Sequence, residues 1–245
     1  MSPNVPSAER LPALVIVPTY NEKQNLPALA QQLMEYRDLH LLVVDDHSPD
    51  GTGDVADQLA QRYPGRMDVA HRRGPRGLGR SYLDGFRRAL AEKVDVICQM
   101  DADLSHDPVY LPAIVAATAR ADLVIGSRYV PGGAIENWPL RRRMLSRMAN
   151  MYIRATTRLA VRDCTSGYRC WRRDALAALP LDQIVSDGYS FLVETLFMAA
   201  RRGARIGEVP ITFVERRQGE SKLTSSVLIE SVTTPLRLVT RARRD

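Results

Sequence analysis

Short runs of branched aliphatic residues recur along the first half of this chain. Each is followed by a polar, turn-rich cluster and then by a stretch with helical spacing, and this alternation restricts the fold more than any other feature. ALVIVP (13–18), HLLVVDD (40–46), MDVAH (67–71), VDVICQM (94–100) and ADLVIGS (121–127) read as strands, with helices over 24–36, 52–62, 81–91 and 108–119 between them. Strands at this spacing imply right-handed βαβ crossovers and an α/β fold with a mostly parallel sheet flanked by helices. Ligands of such sheets bind beyond the carboxyl ends of the strands. There the chain puts PTYNE, DDHSPDGTGD, RRGPRGLGRS, DADLSHDP and GSRYVPGG, five loops converging on one edge.

Past Pro139 the pattern changes. PLRRRMLSRMANMYIRATTRLAV (139–161) reads as a long basic amphipathic helix, with Met144, Leu145, Met148, Met151 and Tyr152 set against many arginines. Two placements fit it equally: an interfacial helix lying on an anionic membrane leaflet, or a core-packing helix with a polar outer face. DCTSGYRCWRR, a helix over 189–201, a strand over 204–215, the loop RRQGESK and a C-terminal helix to about residue 239 follow. The expected organisation is a disordered lead-in (1–12), one domain (13–223) that includes the acceptor-side helix, and a C-terminal amphipathic helix (224–245).

Composition narrows the partners. At 245 residues, 45% hydrophobic and 25% charged, the chain can bury a core and is not disordered. Its net charge of +6 is almost all arginine, lysine occurring only at Lys23, Lys93 and Lys222. An arginine excess suits phosphate-bearing partners, and equally a GC-rich genome. Nucleic-acid binding needs a basic stripe interleaved with aromatics, which 6% aromatic content does not supply. No apolar run long enough to span a membrane or serve as a signal peptide is present. Cys98, Cys164 and Cys170 have neither CxxC nor zinc spacing, so a reduced, cytosolic setting is expected.

Asp101 and Asp103 stand about 7 Å apart on the same side of an extended segment, since a strand rises about 3.3 Å per residue. Both can reach one hard divalent cation, which takes oxygen ligands and keeps substrate phosphates in its shell. The competing role is local: Asp103 or Ser105 capping the next helix, with Pro108 in its first turn. Position at a strand end among four other polar loops favours the metal. His106 reads as a loop residue, because such ions prefer oxygen. From Asp46 the spacing of Ser48, Asp50, Asp54 and Asp57 imitates an EF-hand, but a strand precedes it and Pro49 intrudes. Asp50-Gly51 reads as a turn and Thr52 as a helix cap. GPRGLGRS matches neither glycine-rich phosphate motif, which removes most of the weight from kinase and dehydrogenase readings. Arg128, Arg142 with Ser146 one helical turn on, Arg216 and Lys222 are the basic candidates for phosphate, while Arg141, Arg143 and Arg147 read as surface.

VPTYNE, VVDDHSPDGT, MDADLSHDP, IGSRYVPGG, NWPLRRRMLSR, DCTSGYR and GEVPITFVERRQGESK occur in this order from about Leu14 to Lys222. In that order they resemble the dolichol-phosphate (polyprenol-phosphate) mannose synthases, inverting family 2 glycosyltransferases of the GT-A fold. The resemblance implies transfer of mannose from GDP-mannose to a polyprenyl or dolichyl phosphate on the cytoplasmic face of a membrane. It leaves room for a membrane-embedded partner subunit. By motif it implies that Pro18, Tyr20, Glu22, Val44 and Asp46 line the nucleotide pocket. Asp101, Ala102 and Asp103 would face the donor diphosphate, and Asp101, Asp103 and Ser105 would hold Mg²⁺ or Mn²⁺. Ser105 stands where some relatives have glutamine, which shortens that ligand. Arg128, Arg142 and Ser146 would lie near the acceptor phosphate or sugar, with Arg216 and Lys222 closing over the diphosphate. A UDP-glucose-dependent polyprenyl-phosphate glucosyltransferase, or another family 2 transferase, is the alternative.

Overall fold

The computed structural model describes residues 10–215 and 225–242. Along the first half, β1 (Arg10–Thr19), α1 (Leu26–Leu33), β2 (Arg37–Asp45), α2 (Thr52–Arg62), β3 (Met67–His71), α3 (Leu78–Ala91), β4 (Val96–Gln99), α4 (Leu111–Ala117) and β5 (Leu123–Ser127) follow the predicted alternation. The second half adds β6 (Ala134–Glu136), α5 (Leu140–Thr157), β7 (Arg169–Arg172), α6 (Arg173–Ala177), α7 (Gly188–Arg201), β8 (Ile206–Pro210), β9 (Thr212–Val214) and α8 (Ser225–Arg241).

A seven-stranded sheet has the order β3-β2-β1-β4-β7-β5-β8. Its pairings are parallel except that β7 runs antiparallel between β4 and β5. Strand order reverses between β1 and β4, so the loops leaving those two strands diverge and open a crevice at their carboxyl ends. The run ALVIV is apolar without alternation because both faces of the sheet are covered. Val15 and Val17 pack in a cluster with Leu29 and Ile114, while Leu14 and Ile16 pack with Phe86 and Phe191 on the other face. Gly85 lets α3 approach β1: a Cβ there would fall 2.6 Å from the Ile16 side chain.

Several details differ from the sequence reading. The sheet begins at Arg10, inside the span expected as lead-in. DCTSGYRCWRR contains β7, which carries no strand periodicity and inserts as a central antiparallel strand. The strand expected over 204–215 breaks at Ile211, β8 joining the main sheet and β9 pairing with β6. Antiparallel register sets Cys98 opposite Cys170, and the two are joined as a disulfide with Cα atoms 4.1 Å apart. Their separation of 72 residues hides this in sequence. Cys164 stays a free, buried thiol that burial pushes up to about 12, so it is protonated and unreactive at neutral pH.

Candidate active site

At the end of β4 the chain folds back on itself, with Leu104 at φ 61°, in the left-handed region. That turn separates the two carboxylates by role. The Asp101 side chain is 38% exposed and accepts from the Tyr82 hydroxyl at 3.3 Å. Burial and the charge of Asp101 push the Tyr82 phenol well up, so it remains a donor. Asp103 is nearly buried, and its Oδ1 accepts from both the amide (3.1 Å) and the hydroxyl (2.5 Å) of Ser105. Ser105, expected as a metal ligand, is thus buried with its hydroxyl engaged in fixing Asp103. His106 lies beneath the motif at 2% exposure. Its Nδ1 accepts from the Asp101 amide at 3.2 Å, and its ring stacks on Tyr168 with centroids 5.0 Å apart.

The nucleotide-side residues come together on neighbouring strand ends. Pro18 pairs with Val44 and Thr19 with Asp45 in the β1–β2 register. Pro18, Val44 and Ala102 are buried at this edge. Glu22 is half-buried, accepts from Asn25 at 2.8 Å, and its amide donates to Thr52 Oγ1 at 3.0 Å. Asp46 is buried and bound by the Arg72 guanidinium and by the Gly77 amide at 2.8 Å. The Arg76 guanidinium lies 4.8 Å over the Tyr20 ring and donates to its hydroxyl. Neither arginine stands out in the sequence, where both sit in a glycine-rich loop that matches no motif.

That loop is no phosphate cradle. The N-terminus of α3 is filled by Asp187, which accepts from the Gly79 amide at 2.6 Å, and a Cβ at Gly77 would fall 1.8 Å from the same carboxylate. The EF-hand imitation is likewise turn chemistry. Asp50 accepts from the Thr52 hydroxyl and amide and from the Lys23 amide. Burial works to raise its carboxyl, but those bonds outweigh it and hold it below the usual value.

On the acceptor side, Arg128 is buried and donates through Nε and Nη2 to Asp163, both at 2.7 Å, and through Nη2 to Thr165 at 2.8 Å. Asp163 is wholly buried. Desolvation would raise its carboxyl, but the Arg128 charge and hydrogen bonds hold it below the usual range. Arg142 pairs with Glu215, and Ser146, one turn further along α5, accepts from the Tyr129 hydroxyl at 2.7 Å. Both arginines lie against Trp138, Arg128 at 5.7 Å and Arg142 at 4.1 Å from its centroid. Phe213 meets Trp138 edge-on at 5.4 Å and His106 at 5.7 Å, so an aromatic chain connects the acceptor side to the Asp101 loop. Arg216 and Lys222 lie outside the described residues.

Asp163 is held in turn by the loop 163–168. Arg169, fully buried, donates to the carbonyls of Cys164, Ser166 and Leu192. Burial lowers its guanidinium to about 10, which leaves it charged at neutral pH. Asp163 and Arg169 open and close the motif DCTSGYR, but the motif does not give their roles, which depend on partners far along the chain.

Residues 14–179 match the family described as Glycosyl transferase family 2. The chain is 48% identical over 231 residues, 94% of its own length and 95% of the relative's, to an undecaprenyl-phosphate mannosyltransferase of Micrococcus luteus. It is 46% identical over 221 residues, 89% and 83% of the two lengths, to a polyprenol monophosphomannose synthase of Mycolicibacterium smegmatis. Among solved structures it resembles mannosyl-3-phosphoglycerate synthase from Rubrobacter xylanophilus, with TM-score 0.66 and 16% identity over 96% of this chain and 74% of that one. It also resembles a mannosyltransferase from Pyrobaculum calidifontis in complex with GDP-mannose and Mn²⁺, with TM-score 0.63 and 18% identity over 99% and 67% of the two chains. At these identities the structures speak to the fold, which is GT-A.

Proposed function

This chain belongs to glycosyltransferase family 2, and from that membership we propose that it transfers mannose from GDP-mannose to a polyprenyl phosphate with inversion at the sugar. The observation that carries the reading is the division of the site. Carboxylates stand at the β4 end. Across an aromatic chain from them stand Arg128, just past β5, and Arg142 with Ser146 on α5, a helix whose outer face is apolar. The names and extent of the M. luteus and M. smegmatis relatives support the lipid acceptor and the sugar.

The chemistry follows from the charges. An acceptor phosphate monoester has a second pKa of about 6 and arrives as an anion. One of its oxygens forms the bond to the anomeric carbon while the bond to the donor diphosphate breaks, and the nucleoside diphosphate departs with the electron pair. No protein base has to remove a proton. The protein must hold two anions in line, balance the leaving charge and keep water out. Arg128, Arg142 and Ser146 are suited to grip the acceptor phosphate, and Tyr20, Glu22 and the backbone of Pro18 and Val44 to bind the nucleoside. Asp46 braces that pocket through Arg72, and Ala102 adds backbone beside the diphosphate. Arg216 and Lys222 belong to this reading as further diphosphate ligands.

The oxygen-only donor set at Asp101 and Asp103 fits Mg²⁺ or Mn²⁺, with Ser105 fixing Asp103. Among the described residues no three His, Cys, Asp or Glu side chains converge as a metal cage, so the diphosphate would supply remaining ligands. Such an ion neutralises charge on the departing diphosphate.

The acceptor's location is read from α5. Leu140, Met144, Leu145, Met148 and Met151 are more than half exposed, and its buried positions are Asn150, Ile153 and Thr157. The apolar stripe therefore points away from the core, which removes the core-packing placement. Val232 and Leu236 of α8 are exposed as well, and α8 is tied to α5 by the Tyr152 hydroxyl donating to the Val232 carbonyl at 2.8 Å. With Arg141, Arg147 and Arg154 exposed alongside, this face suits an anionic membrane surface, on the cytoplasmic side where the donor is found. No helix among the described residues is long and apolar enough to cross a membrane.

The test is purified protein with Mg²⁺ or Mn²⁺, a polyprenyl phosphate, and either GDP-mannose or UDP-glucose. An acid-labile glycolipid from GDP-mannose alone is expected. Product from UDP-glucose alone would replace the donor, and no product from either would sink the reading.

A further inference from the structure

The acceptor side contains an unusual charge arrangement that the arginines alone do not explain. Two guanidinium groups meant for one phosphate repel each other until it arrives, and they must nevertheless wait in matching orientations. Arg128 is fixed by a bidentate pair with a fully buried aspartate. Among the described residues Arg142 has its ion pair with Glu215, both side chains partly exposed, and such pairs hold geometry weakly. What the two arginines share is one ring. The Trp138 centroid lies 5.7 Å from the Arg128 guanidinium carbon and 4.1 Å from that of Arg142.

The ring is itself placed by packing. Asn137 takes a left-handed φ of 62° between β6 and the indole, Pro139 caps α5 directly after it, and Phe213 of β9 braces the ring edge-on at 5.4 Å. Its Nε1–H is buried and has no hydrogen-bond partner among the described residues. The indole's contacts here are thus through its ring and not through its N–H.

We propose that Trp138 is the positioning residue of the acceptor-phosphate pocket: its π face aligns the guanidiniums of Arg128 and Arg142 so that both engage a single phosphate monoester. The inference rests on the polyprenyl-phosphate reading above and adds to it a residue that touches the arginines rather than the reacting atoms. An aromatic ring in contact with both holds two like charges in place without neutralising them, which a carboxylate placed between them would not do.

The test compares wild type, Trp138→Phe and Trp138→Leu at saturating donor. A leucine removes the π face, and a phenylalanine keeps it while deleting the N–H. Trp138→Leu is expected to raise the KM for polyprenyl phosphate about tenfold, leaving the KM for the nucleotide sugar unchanged. Trp138→Phe should stay within about threefold of wild type, because the face that does the aligning survives. A second readout needs no turnover. The chain has two tryptophans, and Trp171 is fully buried with its indole nitrogen donating to Gln99 at 2.8 Å. In an amide-proton NMR spectrum of the full chain the Trp138 indole signal, assigned by its loss in Trp138→Phe, should shift on titration with geranyl phosphate while that of Trp171 stays in place. Unchanged acceptor KM in Trp138→Leu, equal changes in both KM values, or equal damage from phenylalanine and leucine would each overturn the proposal while the function stands. A wild-type protein that neither transfers mannose nor binds geranyl phosphate overturns both.

Discussion

Asp101 and Asp103 are one residue apart and look interchangeable in sequence, yet their environments give them different work. Asp103 is nearly buried and held by Ser105, whereas the Asp101 side chain is partly exposed and accepts from Tyr82. Asp103→Ala is therefore expected to lower turnover by about a hundredfold or more and to flatten its dependence on metal concentration. Ser105→Ala, which only loosens Asp103, should lose about tenfold with the metal dependence kept. Steady-state rates across a Mn²⁺ titration measure both, and an Asp103→Ala enzyme with full turnover would remove this aspartate from the site. Asp163 invites a different prediction because its partner is internal. Breaking a buried ion pair from one side costs about 3–5 kcal/mol, so Asp163→Asn should lower the unfolding free energy read from urea denaturation by that amount and remove activity with it. The sign of the pH effect follows from the carboxyl being held below its ordinary value. The stability it contributes is fully present above the unfolded-state value of about 3.9 and is lost as pH falls through the lower folded-state value. Wild type should weaken over that acidic interval, and the component due to this group should be missing from Asp163→Asn. A variant with unaltered acid unfolding would show that the pair contributes no such linkage.

At the scale of elements, what was legible in the sequence is what local periodicity encodes. β1 to β5 and the helices between them announce themselves because both faces of the sheet are buried and the turns are chemically distinct. β7 does not, because Arg-Cys-Trp-Arg lacks alternation and one of its arginines, Arg169, is buried against backbone carbonyls. Candidate residues such as Asp101, Arg128 and Arg142 were readable from motif order. Their holders were not, because Asp163, Glu215 and Trp138 meet them only through tertiary folding. α5 lies between these cases. Its amphipathicity is plain in sequence, but the direction of its apolar stripe depends on which face the rest of the fold covers. Arg142 and Ser146, four residues apart, face the pocket, and Met144, Met148 and Met151 face outward. On the proposed function, one helix would present a phosphate grip and a lipid-facing surface at once. Replacing Met144, Met148 and Met151 together by glutamine should reduce binding to anionic vesicles by at least tenfold, since each apolar side chain contributes about 1.5–3 kcal/mol when buried. Turnover of a short, soluble prenyl phosphate should be unaffected. Co-sedimentation at equal protein concentration measures the first and a plate assay the second; unaltered vesicle binding would reassign the stripe to another partner.

On the proposed function, the whole molecule has to bring two anions to one crevice. The donor edge is built from the ends of β1, β2 and β4, and the acceptor edge from the loops around β5, β6 and β9 together with α5. The His106–Phe213–Trp138 chain runs between the two edges. His106 sits at the donor end of that chain, close enough to the carboxylates to be mistaken for a base, with its Nδ1 3.8 Å from Asp101. Its surroundings argue otherwise. It is almost wholly buried, its Nδ1 accepts from the Asp101 amide, and its faces are taken up by Tyr168 and Phe213. If the nucleophile arrives already ionised, the acidic limb of the rate profile belongs to the acceptor phosphate, whose second ionisation lies at about 6. His106→Phe keeps the ring packing and deletes the acceptor for the Asp101 amide, while His106→Asn keeps an acceptor and deletes the ring. Both variants are expected to slow turnover by loosening the turn that carries Asp101, and both should retain an acidic limb at the wild-type position. A phosphonate acceptor, whose second ionisation is higher than that of the phosphate, should move the limb upward in wild type and variants alike. A limb that vanished in either His106 variant, or ignored the change of acceptor, would make the histidine a proton carrier and return a general base to the reaction.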